Sequence, residues 1–273
     1  MKEINYILFS VCTDTNNEGY LRFINSCQQN RINYKILGIG EEWFGGNMEV
    51  GPGGGQKVNL LKLELDTMSI DELKHTVIIF TDSYDVIVSS NMSIIKNKID
   101  IFLDKYKNSL ENTVIFSSEK TCWPNQNKEH LFKKIKYGYN YLNSGGFIGK
   151  ANVLKELLIN KINNADDDQE YYMNIYLNQT NINILLDSEC LIFQTLNNSL
   201  TDLIIYNNKL INKLTHTEPC ILHANGPKNI KEHLFMYYDL YTNKILYKSA
   251  GIHTEISNIL NNKNEFISLS INI

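Results

Sequence analysis

The stretch Val77-Ile78-Ile79-Phe80-Thr81-Asp82-Ser83-Tyr84-Asp85 carries more information about the fold than any other part of the chain. Residues 77–80 form an unbroken apolar run, β-branched at its first three positions, which stops at polar residues. So short and so apolar a run reads as a fully buried strand. Working outward, apolar runs at residues 7–11, 34–39, 114–116, 182–186, 191–193 and 221–222 read as further strands. Between them, apolar residues recur at helical spacing over 19–28 (Leu21, Phe23, Ile24) and 56–65 (Val58, Leu61, Leu65). The same spacing marks Met92, Ile95, Ile99, Phe102 and Leu103, and a helix over 153–162. Strands alternating with helices predict an α/β fold with a mostly parallel sheet flanked by helices. The expected organisation is one domain over residues 1–235. A C-terminal extension over 236–273 follows, a docking helix and weakly specified strands led in by Phe235, Tyr237, Tyr238 and Tyr241.

Composition narrows the function classes. A chain that is 43% hydrophobic and 21% charged is neither disordered nor fibrous. A formal net charge of −4 argues against broad phosphate neutralisation, so no nucleic-acid partner is expected. No apolar run approaches the roughly 20 residues that span a bilayer. The first apolar run is too short for a secretory leader and lacks a small-residue cleavage site, so the chain is expected to be cytoplasmic. Its five cysteines (Cys12, Cys27, Cys122, Cys190, Cys220) are scattered and odd in number, which predicts free thiols.

In sheets of this kind ligands bind beyond the carboxyl ends of the strands, and chemistry-bearing residues lie there. Asp82 and Asp85 follow the central strand, close enough to converge on one cation. A hard divalent ion such as Mn²⁺ or Mg²⁺ takes oxygen ligands and shares its sphere with substrate phosphates; the alternative is a helix cap or turn. Gly51-Pro52-Gly53-Gly54-Gly55-Gln56-Lys57 enters a helix, either as an anion cradle or as a flexible turn. Asn164-Ala165-Asp166-Asp167-Asp168-Gln169-Glu170 crowds carboxylates in front of another helix, as an active site exploits and as a helix start also favours. His223, at a late strand end before Ala224-Asn225-Gly226-Pro227-Lys228, offers an imidazole as a third ligand. Trp43 and Trp123 stand in loops, as stacking platforms do. Together these features predict a metal-dependent enzyme acting on a nucleotide diphosphate, most simply a nucleotide-sugar transferase.

The same motifs, with Gly19-Tyr20-Leu21-Arg22-Phe23, Gly40-Glu41-Glu42-Trp43, Cys122-Trp123-Pro124, Leu142-Asn143-Ser144-Gly145-Gly146-Phe147-Ile148-Gly149 and Ile192-Phe193-Gln194, run in one order over about residues 5 to 235. In this the chain resembles the N-terminal glycosyltransferase domain of the multifunctional procollagen lysyl hydroxylases. The resemblance implies a GT-A, Rossmann-like fold, Mn²⁺ as cofactor, UDP-glucose as donor and a collagen or collagen-like acceptor carrying galactosyl-hydroxylysine. It implies that Asp82, Asp85 and His223 hold the metal. Tyr84 would stack near the uracil, Thr13 and Lys57 would contact the nucleotide, and Asn225, Gly226 and Lys228 would lie along the diphosphate. Trp123, Asn143, Asp167 and Asp168 would meet the sugar and the acceptor.

The chain departs from that family where Ala224 replaces a glycine and Lys228 directly follows Pro227, and its acidic run is shorter. The other readings are a galactosyltransferase from UDP-galactose to hydroxylysine and a non-catalytic UDP-sugar or collagen-binding module. A homo-oligomer is compatible with either.

Overall fold

A computed structural model describes residues 3–48, 51–178, 181–206, 209–242 and 267–268. The apolar run at 77–80 is the middle of strand β3 (Thr76–Thr81), buried at every position. Around it the elements run β1 (Asn5–Val11), α1 (Glu18–Gln29), β2 (Tyr34–Leu37), α2 (Gly55–Thr67), α3 (Ile70–His75), β3, β4 (Val86–Val88) and α4 (Met92–Tyr106). They continue through β5 (Thr113–Glu119), a 3₁₀ turn (Gln126–Leu131), β6 (Tyr141–Lys150), α5 (Ala151–Leu157), α6 (Asp168–Leu177) and β7 (Asn183–Leu186). After these come β8 (Phe193–Thr195), a second 3₁₀ turn (Leu200–Asp202), β9 (Leu203–Tyr206), β10 (Lys209–Asn212), β11 (Ile221–His223), α7 (Lys228–Tyr241) and β12 (Ile267–Ser268).

The main sheet has the order β2-β1-β3-β6-β5-β7. β1 pairs in parallel with β2 and β3, and β5 in parallel with β7, while β6 runs antiparallel to both neighbours. Five of the six strands therefore point one way, the mostly parallel α/β sheet that the alternation predicts. Side chains alternate along each strand. Phe9, Val11, Ile78 and Phe80 pack with Val58, Leu61 and Leu154 of α2 and α5, and Leu8, Val77 and Ile79 pack with Phe23, Ile95 and Ile99 of α1 and α4. A small sheet, β4-β11-β8, and a third cluster under α7 carry the late strands. No helix among the described residues is long and apolar enough to cross a membrane, and all five cysteines are free and buried.

Several expected boundaries move for identifiable reasons. The strand expected over 34–39 ends at Leu37 because Gly38 turns to φ +78°. The helix expected over 153–162 runs from Ala151 to Leu157; the carbonyls of Leu158 and Ile159 beyond it accept from Lys62 Nζ instead. The strand expected over 191–193 is displaced to Phe193–Thr195, because the Asp187 carboxylate takes the N–H groups of Leu191, Ile192 and Phe193. Helix α7 crosses residue 235 and packs Tyr237 and Tyr238 into the third cluster, with Arg22 standing 4.0 Å over the Phe235 ring. Of the expected extension, residues 243–266 and 269–273 lie outside the described residues.

Candidate metal centre and active site

The carboxyl ends of β1, β3 and β5 meet the start of β6 and the end of β11 on one rim of the sheet. The turn after β3 is clamped there on three sides. Asp82 N donates to Gly145 O (3.1 Å) and Ser83 Oγ to Val11 O (2.6 Å), while the Tyr84 hydroxyl accepts from Thr13 N (3.2 Å) and Asp14 N (2.9 Å). Ala224 N donates to Asp85 O (2.8 Å), which draws the end of β11 against the same turn. As a result one ligand atom from each of Asp82, Asp85 and His223 lies within 4.8 Å of the others. His223 Nε2 stands 3.6 Å from Asp82 Oδ2 and 3.5 Å from Asp85 Oδ1.

The orientation of the imidazole follows from its other nitrogen. Asn143 Nδ2 donates to Glu119 Oε1 (3.0 Å) and Gln169 Oε1 (3.2 Å), which leaves Asn143 Oδ1 to accept from Gly145 N (3.2 Å) and His223 Nδ1 (3.1 Å). With its proton on Nδ1, a neutral ring turns the Nε2 lone pair toward the two carboxylates, as a metal-ligating histidine does. Backbone space is kept for this arrangement: a Cβ on Gly145 would stand 2.1 Å from His223 Cε1 and 2.9 Å from Asp82 Oδ2. Burial disfavours the charged imidazole, but the carboxylates of Asp85 and then Asp82 outweigh it and raise the His223 pKa. Burial likewise opposes ionisation of Asp85, and His223 more than compensates, so the Asp85 pKa is lowered.

Lys57 stands on the other side of Asp82. Its ammonium lies 2.7 Å from Asp82 Oδ1 and 2.8 Å from Asp168 Oδ2, nearly closed to solvent. Burial opposes its charge, yet the two carboxylates raise its pKa. Three carboxylates facing one ammonium leave two negative charges when the imidazole is neutral, the complement of a divalent cation. The donor set, two carboxylate oxygens and one imidazole nitrogen, suits a hard to borderline ion of the Mn²⁺ type.

The glycine loop and the acidic cluster turn out to be one structure. Gly54 N donates to Gly45 O, Gly55 N to Asp166 O, Gln56 N to Asn164 O and Asp168 N to Gly53 O. The amides that an anion cradle would offer are therefore spent on the chain itself, and of the two readings of this loop the turn is the observed one. Glycine is required for the closeness of the approach. Gly54 has φ +98°, and a Cβ on Gly55 would sit 2.1 Å from Asn163 O. The two neighbouring aspartates separate in role. Asp167 is the N-cap of α6, accepting from Glu170 N (2.7 Å) and, at 3.4 Å, from Gly53 N, whereas Asp168 is buried against Lys57. Burial first, then the charge of Asp168, pushes the Asp167 pKa up to about 6.

The remaining expected residues are placed as follows. Thr13 and Tyr84 are joined at the rim through the tyrosine hydroxyl. Trp123 is 46% exposed, and its backbone carbonyl accepts from Gln169 Nε2 (3.0 Å). Asn225 Oδ1 accepts from Leu196 N and Asn197 N and its Nδ2 donates to Glu119, so its amide is committed within the protein. Gly226 (φ +102°) and Lys228 are exposed, the latter at the first residue of α7. The structure thus brings Lys57, Asp82, Asp85, Asn143, Asp168 and His223 into one cluster, with Asn225 attached through Glu119. Glu119 itself was not anticipated. Burial pushes its carboxyl up to about 7 against the pull of its amide donors and His223. Its position obeys the rule that identifies Asp82, an acid at the carboxyl end of a strand, but the apolar run preceding it stops at Phe116.

The family model described as PLOD GT domain matches residues 2–252. An uncharacterized protein of Acanthamoeba polyphaga mimivirus is 35% identical over 222 residues, 81% of this chain and 46% of that protein. The multifunctional procollagen lysine hydroxylase and glycosyltransferase of Caenorhabditis elegans is 32% identical over 237 residues, 84% of this chain and 31% of that protein. The Homo sapiens protein so described is 33% identical over 222 residues, 78% of this chain and 29% of that protein. The chain therefore spans less than half the length of each of these relatives. Among solved structures, a glycosyltransferase involved in the glycosylation of the major capsid of PBCV-1 is similar with a TM-score of 0.48 at 12% identity, covering 85% of this chain and 100% of that one.

Proposed function

Because the chain belongs to the PLOD GT domain family, we propose that it transfers glucose from UDP-glucose to galactosyl-hydroxylysine of collagen or a collagen-like protein, with retention at the anomeric carbon. The observation that carries this reading is the convergence of Asp82, Asp85 and His223 beside the Lys57–Asp168 pair. When bound by those three residues, Mn²⁺ offsets the negative charge that builds on the leaving diphosphate. The residues of the chain do the rest. Tyr84 and Thr13 form the rim against which the nucleotide stacks, and Trp123 offers an exposed aromatic face to sugar. Asp168, held by Lys57, presents fixed negative charge to the positive charge developing at the anomeric carbon. The bond from that carbon to the UDP oxygen breaks as a bond to the acceptor oxygen forms on the same face, and the acceptor proton passes to the leaving phosphate oxygen.

Galactosyl transfer with inversion needs an uncommitted base. Glu119 already accepts three amide N–H bonds and Asp168 is paired with Lys57, which supports the retaining route. The test offers UDP-glucose and UDP-galactose to peptides carrying hydroxylysine and galactosyl-hydroxylysine, with Mn²⁺ or with chelator. Glucose should appear on the galactosylated peptide alone and only with metal. Galactose on bare hydroxylysine would replace the reading with the galactosyltransferase, and UDP binding without turnover in any arm would replace it with a binding module.

A further inference from the structure

Glu119, the last residue of β5, is 3% exposed and accepts from the amide side chains of β6, α6 and the turn after β11. Asn143 Nδ2 (3.0 Å) and Gln169 Nε2 (2.7 Å) donate to its Oε1, and Asn225 Nδ2 (2.9 Å) donates to its Oε2. The far end of each amide is committed. Asn143 Oδ1 takes Gly145 N and His223 Nδ1, Gln169 Oε1 takes Ser144 N (3.1 Å), and Asn225 Oδ1 takes Leu196 N and Asn197 N (both 3.1 Å). An amide can be turned end for end at little cost unless its partners forbid it. Here only an acceptor-only group at residue 119 satisfies all three NH₂ groups at once. If Asn143 turned over, it would present an NH₂ to His223 Nδ1. That would drive the ring proton to Nε2, where it would cover the lone pair facing Asp82 and Asp85.

We infer that Glu119 is the positioning residue of the metal centre, setting the tautomer and ring orientation of His223 through Asn143. The inference rests on the reading that His223 is a metal ligand, but its first consequence concerns the metal-free chain. Gln169 Nε2 also donates to Trp123 O (3.0 Å), so the same carboxylate ties the Trp123 loop to the centre.

The test is Glu119→Leu, which removes both acceptor oxygens; a Gln could keep its carbonyl where Asn143 and Gln169 donate and turn its NH₂ to Asn225 alone. Metal-free protein labelled with ¹⁵N-histidine should show a slowly exchanging Nδ1–H signal for His223, assigned by its absence in His223→Gln. In E119L that signal should be lost, and Mn²⁺ binding, titrated by electron paramagnetic resonance, should weaken about 10- to 100-fold. Should E119L fail a circular-dichroism check of folding, E119D is read in the same way, because its shorter side chain keeps the charge but withdraws the oxygens. An unchanged ring signal in a folded variant overturns the inference whatever the affinity. If the signal is lost but neither protein binds Mn²⁺, the positioning role stands and the metal reading falls.

Discussion

Lys57 Nζ lies between Asp82 and Asp168, 2.7 Å from one carboxylate and 2.8 Å from the other. One ammonium, supplied by the first turn of α2, therefore joins the turn after β3 to the start of α6. Like charges buried this close repel unless a counter-charge lies between them. The glycine loop brings α2 near enough to supply it, and Gly54 keeps its Cα beside the Asp168 carboxylate, which a Cβ would meet at 2.9 Å. Lys57→Met keeps the stem and removes the charge, stranding two acids. Breaking a buried pair in this way costs about 3–5 kcal/mol. Urea unfolding of the metal-free protein should show a loss of that order. A loss below about 1 kcal/mol, the worth of an exposed pair, would mean that the ammonium does not bridge them.

Gly145→Ala probes the metal centre without touching a charge. The new Cβ would stand 2.1 Å from His223 Cε1 and 2.5 Å from Nδ1, so the ring must swing out of the cluster. Mn²⁺ affinity should fall by at least tenfold, as when an outer partner of a ligating histidine is lost. Calorimetric titration with Mn²⁺ checks it. Wild-type affinity would show that His223 is not where the ion binds.

How much of this was legible beforehand varies by residue. Asp82 and Asp85 stood out because the run before them is apolar up to Phe80, whereas Glu119 hid behind Ser117 and Ser118, which belong to the same strand but break its apolar pattern. The ten-residue strand β6 was not read as a strand at all. Asn143, Ser144, Gly145 and Gly146 are poor strand formers, and what holds them extended is pairing with β3 on one side and β5 on the other. Those glycines sit where His223 and the Phe193 ring approach the backbone, a requirement set by residues distant in the chain. Of the three-residue strands, β11 shows in the sequence as the apolar pair 221–222 before His223, whereas β4 (Val86–Val88) lies directly after the turn that carries Asp82 and Asp85 and has too few positions to stand out.

Asp167 and Asp168 are adjacent in sequence and opposite in consequence. Asp167→Ala removes an N-cap and should cost about 1 kcal/mol of stability while leaving most of the transfer rate. Asp168→Asn keeps the shape but takes away the charge that Lys57 holds in place, and should lower the rate with UDP-glucose by about 10²–10³, the loss typical of one missing electrostatic group. Paired thermal melts and initial rates separate the two. If Asp167→Ala proved the inactive variant, the site carboxylate would be the cap.

His223 gives the metal-free protein a pH signature opposite to that of metal binding. Its pKa is raised in the folded chain, after the cost of burial, by Asp85 and Asp82. The stability it contributes is therefore fully present below its unfolded pKa, about 6.5, and is lost as pH climbs through the raised folded value. Asp85 is shifted the other way, so its share is present above about 3.9 and is lost as pH falls through its lowered folded value. Together the pair should stabilise the metal-free chain most between about pH 4 and 6.5, and His223→Gln should erase the alkaline fall relative to wild type in a urea series across pH. Mn²⁺ needs the neutral ring, so binding must expel that proton. Affinity should accordingly rise by up to about tenfold per pH unit until pH passes the folded pKa, then level off. A pH-independent Mn²⁺ affinity from pH 5 to 8 would show that the ion and the proton do not compete for His223.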